Sequence, residues 1–299
     1  MRNLTLKPPF LLLFSLILIC LHGQETSYAD SVIPYGNNPS AGHYAQVNGI
    51  KMYYEIYGQG EPVVCIHAGG GSVADCTPQI KYFSQHYKVI AADSRGQGKS
   101  ELNTDFLTYR QIADDWAELL NQLQVDSACV EGYSDGGIIG LLLAVHHPAK
   151  VKKLAAMGAN IQSDTLAYYP WLLEFLEKLL PYAETKIKEN DTTDNWQQYE
   201  KLAYMWKVNP IISVEELHKI KCPVLILGGD RDVVRLEHLV HIYRNIPFAQ
   251  LCIFPGETHF ISWFDSVLYN STINKFFREP FKINDSKLLL EKWYGFELK

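Results

Sequence analysis

The chain has 299 residues, a net charge of −6, 47% hydrophobic residues and 20% charged ones. That is a globular composition, with apolar mass for one large core or two small ones. The mild acidity, and the lack of a basic run beyond the first few residues, exclude nucleic acid as an expected partner, because phosphate binding needs clustered Lys and Arg.

Arg2 and Lys7 precede an apolar stretch from Phe10 to Leu21, and Gly23 follows it. Such a stretch is short for a membrane span and fits the core of a secretory signal. Residues 1–23 are therefore predicted to be a signal peptide, with a secreted or periplasmic mature protein and no stable membrane span. Two alternatives stay open, a membrane anchor through residues 10–21 and lipidation of Cys20. Residues 24–42 read as a polar arm. Cys65, Cys129, Cys222 and Cys252 lie in or beside apolar β-like runs and read as small buried hydrophobes, not as a disulfide framework. Neither CxxC nor HExxH occurs, so no metal ligands and no cofactor are expected.

From His43 the pattern becomes regular. YAQVNGIKMYYEIYG sets Asn48-Gly49 between alternating apolar residues, which predicts a hairpin. PVVCIHAGGG is a short strand running into glycines, and a helix is expected near Val73–His86. YKVIAAD is a strand ending at Asp93. TYRQIADDWAELLNQLQ has the three-and-four spacing of an amphipathic helix. SACVEG is a strand that leads directly into GYSDGG, and Ile138–Val145 is a helix apolar on every side, which requires burial on nearly all faces. KKLAAMGAN ends the alternation. Residues 161–219 read as a helical block rich in Tyr, Trp and Leu, inserted between two strands and so a candidate lid. PVLILGGD restores a strand, Leu236–Asn245 a helix, AQLCIFPG a strand, and Ile261–Phe277 a last helix. Strand–helix alternation of this kind predicts an α/β fold with a mostly parallel sheet and helices on both faces.

GYSDGG places Ser134 between a strand and a buried helix. Gly132 and Gly136 make room for a sharp, strained turn there, and the helix N-terminus aims free N–H groups at charge developing beside the serine. A serine hydroxyl needs a base, and the base an orienting acid. GGDRDVV offers Asp232 just past a strand end, with Asp230 as its competitor, and PGETHF offers His259 past the last strand. The order Ser134, Asp232, His259 is that of a hydrolase triad. An oxyanion hole needs two N–H donors, and Asp135 and Gly69 of HAGGG are the candidates. GQGKS, at 96–100, lacks the first glycine of a phosphate loop. His146 and His147 end a helix and receive no catalytic role. Tyr168, Tyr169, Trp171, Phe175, Tyr182, Trp196, Tyr204 and Trp206 crowd the 161–219 block, mostly as packing onto the sheet domain. Asn190, Asn270 and Asn284 begin Asn-x-Ser/Thr sequons.

HAGGG, DSRGQGKS, GYSDGG, GGDRDVV and GETHF, in this order, make the chain resemble the α/β-hydrolase superfamily across residues 43–278. The resemblance implies an eight-stranded sheet and a helical lid after strand six, hence a hydrolase domain over 43–299 with its lid at about 161–219. GYSDGGIIGLLLAVHHPAKVKKLAAMGAN is similar to the biphenyl hydrolase-like group that includes valacyclovir hydrolase. In that group the acid after the nucleophile helps hold a substrate amine. Carried over, Asp135 becomes a specificity residue for amino-acid esters; on the plainer reading it contributes only its N–H. Ala68 stands where the family usually has glycine. Glu131 ends a buried strand where a small or apolar residue is commoner, and it needs a partner or a proton. The expected activity is hydrolysis of a small ester or amide through an acyl-Ser134 intermediate. A peptidase or C–C hydrolase using the same site, or a non-catalytic binding protein on this fold, are the alternatives.

Overall fold

The computed structural model describes residues 33–282, 285–295 and 297. The predicted signal peptide, Cys20, residues 24–32 of the polar arm and Asn284 lie outside the described residues.

The sheet has eight strands: β1 (Gly42–Val47), β2 (Ile50–Tyr57), β3 (Pro62–Ile66), β4 (Lys88–Ala92), β5 (Ala128–Tyr133), β6 (Val151–Met157), β7 (Val224–Arg231) and β8 (Ala249–Thr258). Their spatial order is β1-β2-β4-β3-β5-β6-β7-β8. β1 and β2 pair antiparallel, as do β2 and β4, and every other neighbouring pair is parallel. β1 and β2 form the expected hairpin. Asn48 and Gly49 both hold positive φ, 43° and 81°, the conformation whose twist matches that of the flanking strands. The central strands read as continuous apolar runs because helices cover both of their faces. β5, for instance, is buried at every residue.

On one face lie α2 (Tyr109–Gln122), α3 (Asp135–His146) and α7 (Leu236–Arg244), around Trp116, Ile139, Leu143 and Leu239. On the other lie α1 (Thr77–Phe83), α8 (Ile261–Phe264) and α9 (Ser266–Arg278), around Ile80, Phe83, Tyr269 and Ile273. Between β6 and β7 come α4 (Pro170–Lys188), α5 (Trp196–Val208) and the single turn α6 (Val214–Leu217). A last helix, α10 (Ser286–Tyr294), leaves Leu288, Trp293 and Tyr294 exposed.

Three helices differ from their predicted spans, each for a local reason. The Val73–His86 stretch opens as a 3₁₀ turn, Val73–Cys76, and becomes α1 only where Pro78 occupies a first-turn position that needs no donor. The last predicted helix breaks at Asp265, whose side chain accepts the Leu268 N–H at 3.0 Å and caps α9 afresh. α3 begins three residues before Ile138, because the glycines that mask its start carry low helix propensity. Cys65, Cys76, Cys129 and Cys222 are buried free thiols, and Cys252 is half-buried. Asn270 is also buried, its amide occupied by Pro78 and Gln79, so that sequon is closed to glycosylation in the folded chain; Asn190 is exposed. Among the described residues, no helix is long and apolar enough to cross a membrane.

Candidate active site

β5 delivers Ser134 to the carboxyl edge of the sheet, and α3 departs at the next residue. The turn between them is strained: Ser134 holds φ 57°, ψ −116°, a region L-residues rarely occupy without compensation. Its backbone is held by the Met157 carbonyl, which accepts the Ser134 N–H at 2.8 Å, and by the Gly137 N–H, which donates to the Ser134 carbonyl at 2.8 Å. A Cβ at Gly132 would overlap the Gly136 carbonyl, and one at Gly136 would overlap the Ile66 carbonyl. The glycines around the serine are therefore a steric requirement of the turn.

β7 and β8 end beside this turn. His259, immediately after β8, places Nε2 2.9 Å from Ser134 Oγ and Nδ1 2.6 Å from Asp232 Oδ1. The acceptor-only carboxylate assigns the proton to Nδ1 and leaves Nε2 to accept from the serine hydroxyl. Asp232 also accepts the Val234 N–H at 3.1 Å and the Gly229 N–H at 3.3 Å. Burial works to raise its carboxyl, but His259 and these two N–H groups outweigh burial and hold it below the usual carboxylate range. For His259, burial works to lower the imidazole, while the charge and hydrogen bond of Asp232, together with Asp135, hold it above its ordinary value. Asp230, the competing acid, is elsewhere: it accepts the Gly256 N–H at 3.0 Å.

The HAGGG loop follows β3. The Gly71 N–H donates to the Ala68 carbonyl at 3.0 Å, and the Gly70 N–H to Gln97 Oε1 at 2.6 Å. Both are spoken for, whereas the Gly69 N–H, the donor predicted beside that of Asp135, is engaged by neither of these bonds. Gly70, at φ 74°, takes the left-handed position, and Ala68 sits outside that region. The local turn therefore does not need a glycine at 68. Gln97 comes from the DSRGQGKS stretch and pins the loop from behind.

Gly69 also lies against the Asp135 side chain, and a Cβ there would overlap the carboxylate. That carboxylate is buried, with Oδ1 accepting from Tyr109 Oη at 2.8 Å and Oδ2 from Trp206 Nε1 at 2.8 Å. Tyr109 opens α2, whereas Trp206 comes from α5 in the 161–219 block. Among the described residues no Lys or Arg pairs with Asp135. Burial raises its carboxyl, and the two neutral donors only partly offset this.

A family model of the alpha/beta hydrolase fold matches residues 61–186. The (E)-2-((N-methylformamido)methylene)succinate hydrolase of Acinetobacter baylyi is 36% identical over 242 residues, 72% of this chain and 89% of that protein. The chain belongs to the α/β-hydrolase family. Human serine hydrolase BPHL is 25% identical over 259 residues, 79% of this chain and 86% of that protein. An α/β-hydrolase from a Medee basin deep-sea metagenome library superimposes with a TM-score of 0.71 at 18% identity, over 82% of this chain and 100% of that one, a likeness of fold.

Within this α/β-hydrolase, the structure brings Ser134, Asp232 and His259 into one hydrogen-bonded line and sets Gly69 against the side chain of Asp135, the residue that follows the serine. His146 and His147 lie apart, at the far end of α3, facing Glu216 at 3.4 Å and Asp114 at 2.7 Å. Among the described residues no group of His, Cys, Asp or Glu is placed to hold a metal ion. Within the 161–219 block, Tyr182 of α4 meets Trp196 of α5 edge to face at 5.6 Å, and Trp196, Tyr199 and Trp206 continue the edge-to-face chain along α5 at 5.8 and 6.1 Å. Sequence reasoning missed four residues. Tyr109 and Trp206 are invisible as partners of Asp135 because the contacts are distant in the chain. Gly158, at φ 59°, backs the His259 ring, and only its place at a strand end hints at this. Tyr133 Oη donates to the His259 carbonyl at 2.9 Å. Glu131 finds its partner here too, Tyr269 Oη at 2.6 Å.

Proposed function

We propose that this protein is a serine hydrolase that cleaves small esters or amides, with preference for substrates bearing an amine near the scissile carbonyl. The reading is carried by the hydrogen-bonded line from Asp232 through His259 to Ser134 at a strained strand-to-helix turn. His259 Nε2 takes the Ser134 proton as Oγ attacks the carbonyl carbon, and returns it to the leaving group as the C–O or C–N bond breaks. The N–H groups of Gly69 and Asp135 receive the oxyanion. Water, deprotonated by His259, then releases the acid from the acyl-Ser134 intermediate, and the residues of 161–219 serve as the lid.

The amine preference rests on Asp135. A buried carboxylate beside an oxyanion hole opposes the negative charge that must form there, unless a cation accompanies it. Its side-chain donors, Tyr109 and Trp206, are neutral, so an ammonium group on the substrate supplies the missing charge. The similarity to serine hydrolase BPHL is in keeping with Ser134 as the nucleophile. Residues 1–23 act in it as a cleaved export signal, which N-terminal sequencing of the mature protein checks.

The test is turnover of p-nitrophenyl acetate, p-nitrophenyl butyrate and an aminoacyl p-nitrophenyl ester by the wild type and by Ser134→Ala. Activity in the first and its loss in the second is expected, with a fluorophosphonate labelling only the wild type. A protein that is inert and unlabelled has no assembled nucleophile, and a ligand-binding role replaces the enzymatic one.

A further inference from the structure

The two donors on Asp135 are not equivalent. Tyr109 is buried and belongs to the sheet domain, on the helix that packs beside α3. Trp206 is half-buried and belongs to α5, between β6 and β7. Its ring lies over the HAGGG loop, with Cη2 at van der Waals distance from where a Gly70 side chain would begin, and it is braced by the edge of Tyr199 at 6.1 Å. The indole N–H thus covers the Asp135 oxygen on the side of the inserted helices. Gly69 is what makes the arrangement possible, since any side chain there would overlap the Asp135 carboxylate and crowd the indole nitrogen.

We propose that Trp206 is a specificity-determining residue that acts as a built-in surrogate for a substrate ammonium group. It satisfies Asp135 Oδ2 when the substrate is neutral and yields that oxygen when the substrate brings an amine. The proposal rests on the reading of Ser134 as nucleophile and of Asp135 as the amine's partner. A buried carboxylate oxygen left without a donor is costly. With Trp206 in place, a neutral ester can bind without exposing that cost, and an amine must compete with the indole. The residue therefore lowers the site's discrimination between the two and broadens what it accepts.

The experiment compares L-valine p-nitrophenyl ester with p-nitrophenyl 3-methylbutanoate, which differ only by the amine, in the wild type and in Trp206→Phe. Phenylalanine keeps an aromatic ring against Tyr199 and removes the N–H. The ratio of kcat/KM for the valyl ester over the neutral ester is expected to rise roughly tenfold in Trp206→Phe, through KM, because a hydrogen bond to a charged group no longer competes with the amine. An unchanged or lower ratio overturns the proposal. Asp135→Asn separates this from the underlying reading: if it leaves the wild-type ratio intact, the amine does not meet Asp135 at all and the reading itself fails. Should Trp206→Phe not fold, the Trp206 indole N–H resonance is followed in Ser134→Ala during titration with L-valinamide. A shift of that resonance at saturation, absent with 3-methylbutanamide, supports the exchange of partners, and a resonance unmoved by saturating L-valinamide overturns it.

Discussion

Glu131 is the carboxylate that the fold has least reason to keep. It is 1% exposed, on a strand with helices against both faces, and burial pushes its carboxyl from an ordinary 4.5 up to about 7, even though Tyr269 and Cys65 work against the rise. A carboxyl whose proton is held more tightly in the folded chain contributes stability that is full below about pH 4.5. That stability is lost as pH rises through about 7. Each tenfold change in proton affinity is worth about 1.4 kcal/mol, so ionised Glu131 costs the fold about 3 kcal/mol at pH 8 relative to pH 4.5. Glu131→Gln keeps an acceptor for the Tyr269 hydroxyl and cannot ionise. Its amide N–H₂ is a poorer guest than the carboxyl O–H and costs about 1 kcal/mol at every pH. The difference in stability between variant and wild type should therefore climb by about 3 kcal/mol from pH 4.5 to pH 8. For a chain of this size that is roughly 5 °C in Tm. Thermal melts of both proteins across that range give the answer. The other carboxylates titrate alike in both and cancel. A Tm difference that stays flat with pH would show that Glu131 is ionised throughout, stabilised by something its neighbours do not reveal.

Two further outcomes follow from the site. Asp232→Asn should lower kcat for p-nitrophenyl butyrate roughly 10³–10⁴-fold, because an amide can hold the wrong imidazole tautomer; steady-state kinetics on the variant check this, and a loss below tenfold would remove Asp232 from its role. Gly158→Ala sets a Cβ 2.5 Å from His259 Cε1 at a residue whose φ is 59°. The strain of about 1–2 kcal/mol leaves the fold in place, but the displaced imidazole should cut kcat/KM at least tenfold in a variant whose circular dichroism is unchanged.

Much of this architecture is legible in the sequence because it is written in short-range chemistry. The Asn48-Gly49 turn, the apolar runs of the central strands and the three-and-four spacing of α2 each follow from residues within a few positions of one another. So does the strained turn at Ser134, since the atoms that forbid a Cβ at Gly132 belong to Gly136, four residues on. What the residues alone leave open depends on contacts across the chain. Glu131 is 138 residues from Tyr269 and Asp135 is 71 from Trp206, and no periodicity announces either pair. The choice between Asp230 and Asp232 was of the same kind. Asp230 lies at the end of β7 and Asp232 just past it, and only the register of β8 decides which one meets the His259 ring. Helix boundaries at Pro78 and Asp265 belong to a third class, in which the local signals are present but a longer apolar pattern overrides them.

The two acids of the site pull on His259 together. Burial alone would lower the imidazole; Asp232 first and Asp135 after it raise it above its ordinary value. A raised base is a poorer catalyst at neutral pH, because more of it is protonated and unable to take the serine proton. The contribution of Asp232 is permanent. That of Asp135 lasts only while the carboxylate is uncompensated, since an ammonium group placed on Asp135 cancels its charge at His259. Binding a cationic substrate should therefore lower the His259 pKa and free the base at the moment it is needed. The acid limb of kcat reports the complex and that of kcat/KM reports the free enzyme. With L-valine p-nitrophenyl ester, the kcat limb should lie at lower pH than the kcat/KM limb. With p-nitrophenyl 3-methylbutanoate the two should coincide, as they should for both esters in Asp135→Asn. Equal limbs for the valyl ester in the wild type would mean that the amine binds too far from Asp135 to change its field at the imidazole, and the electrostatic case for an amine-bearing substrate would fall with it.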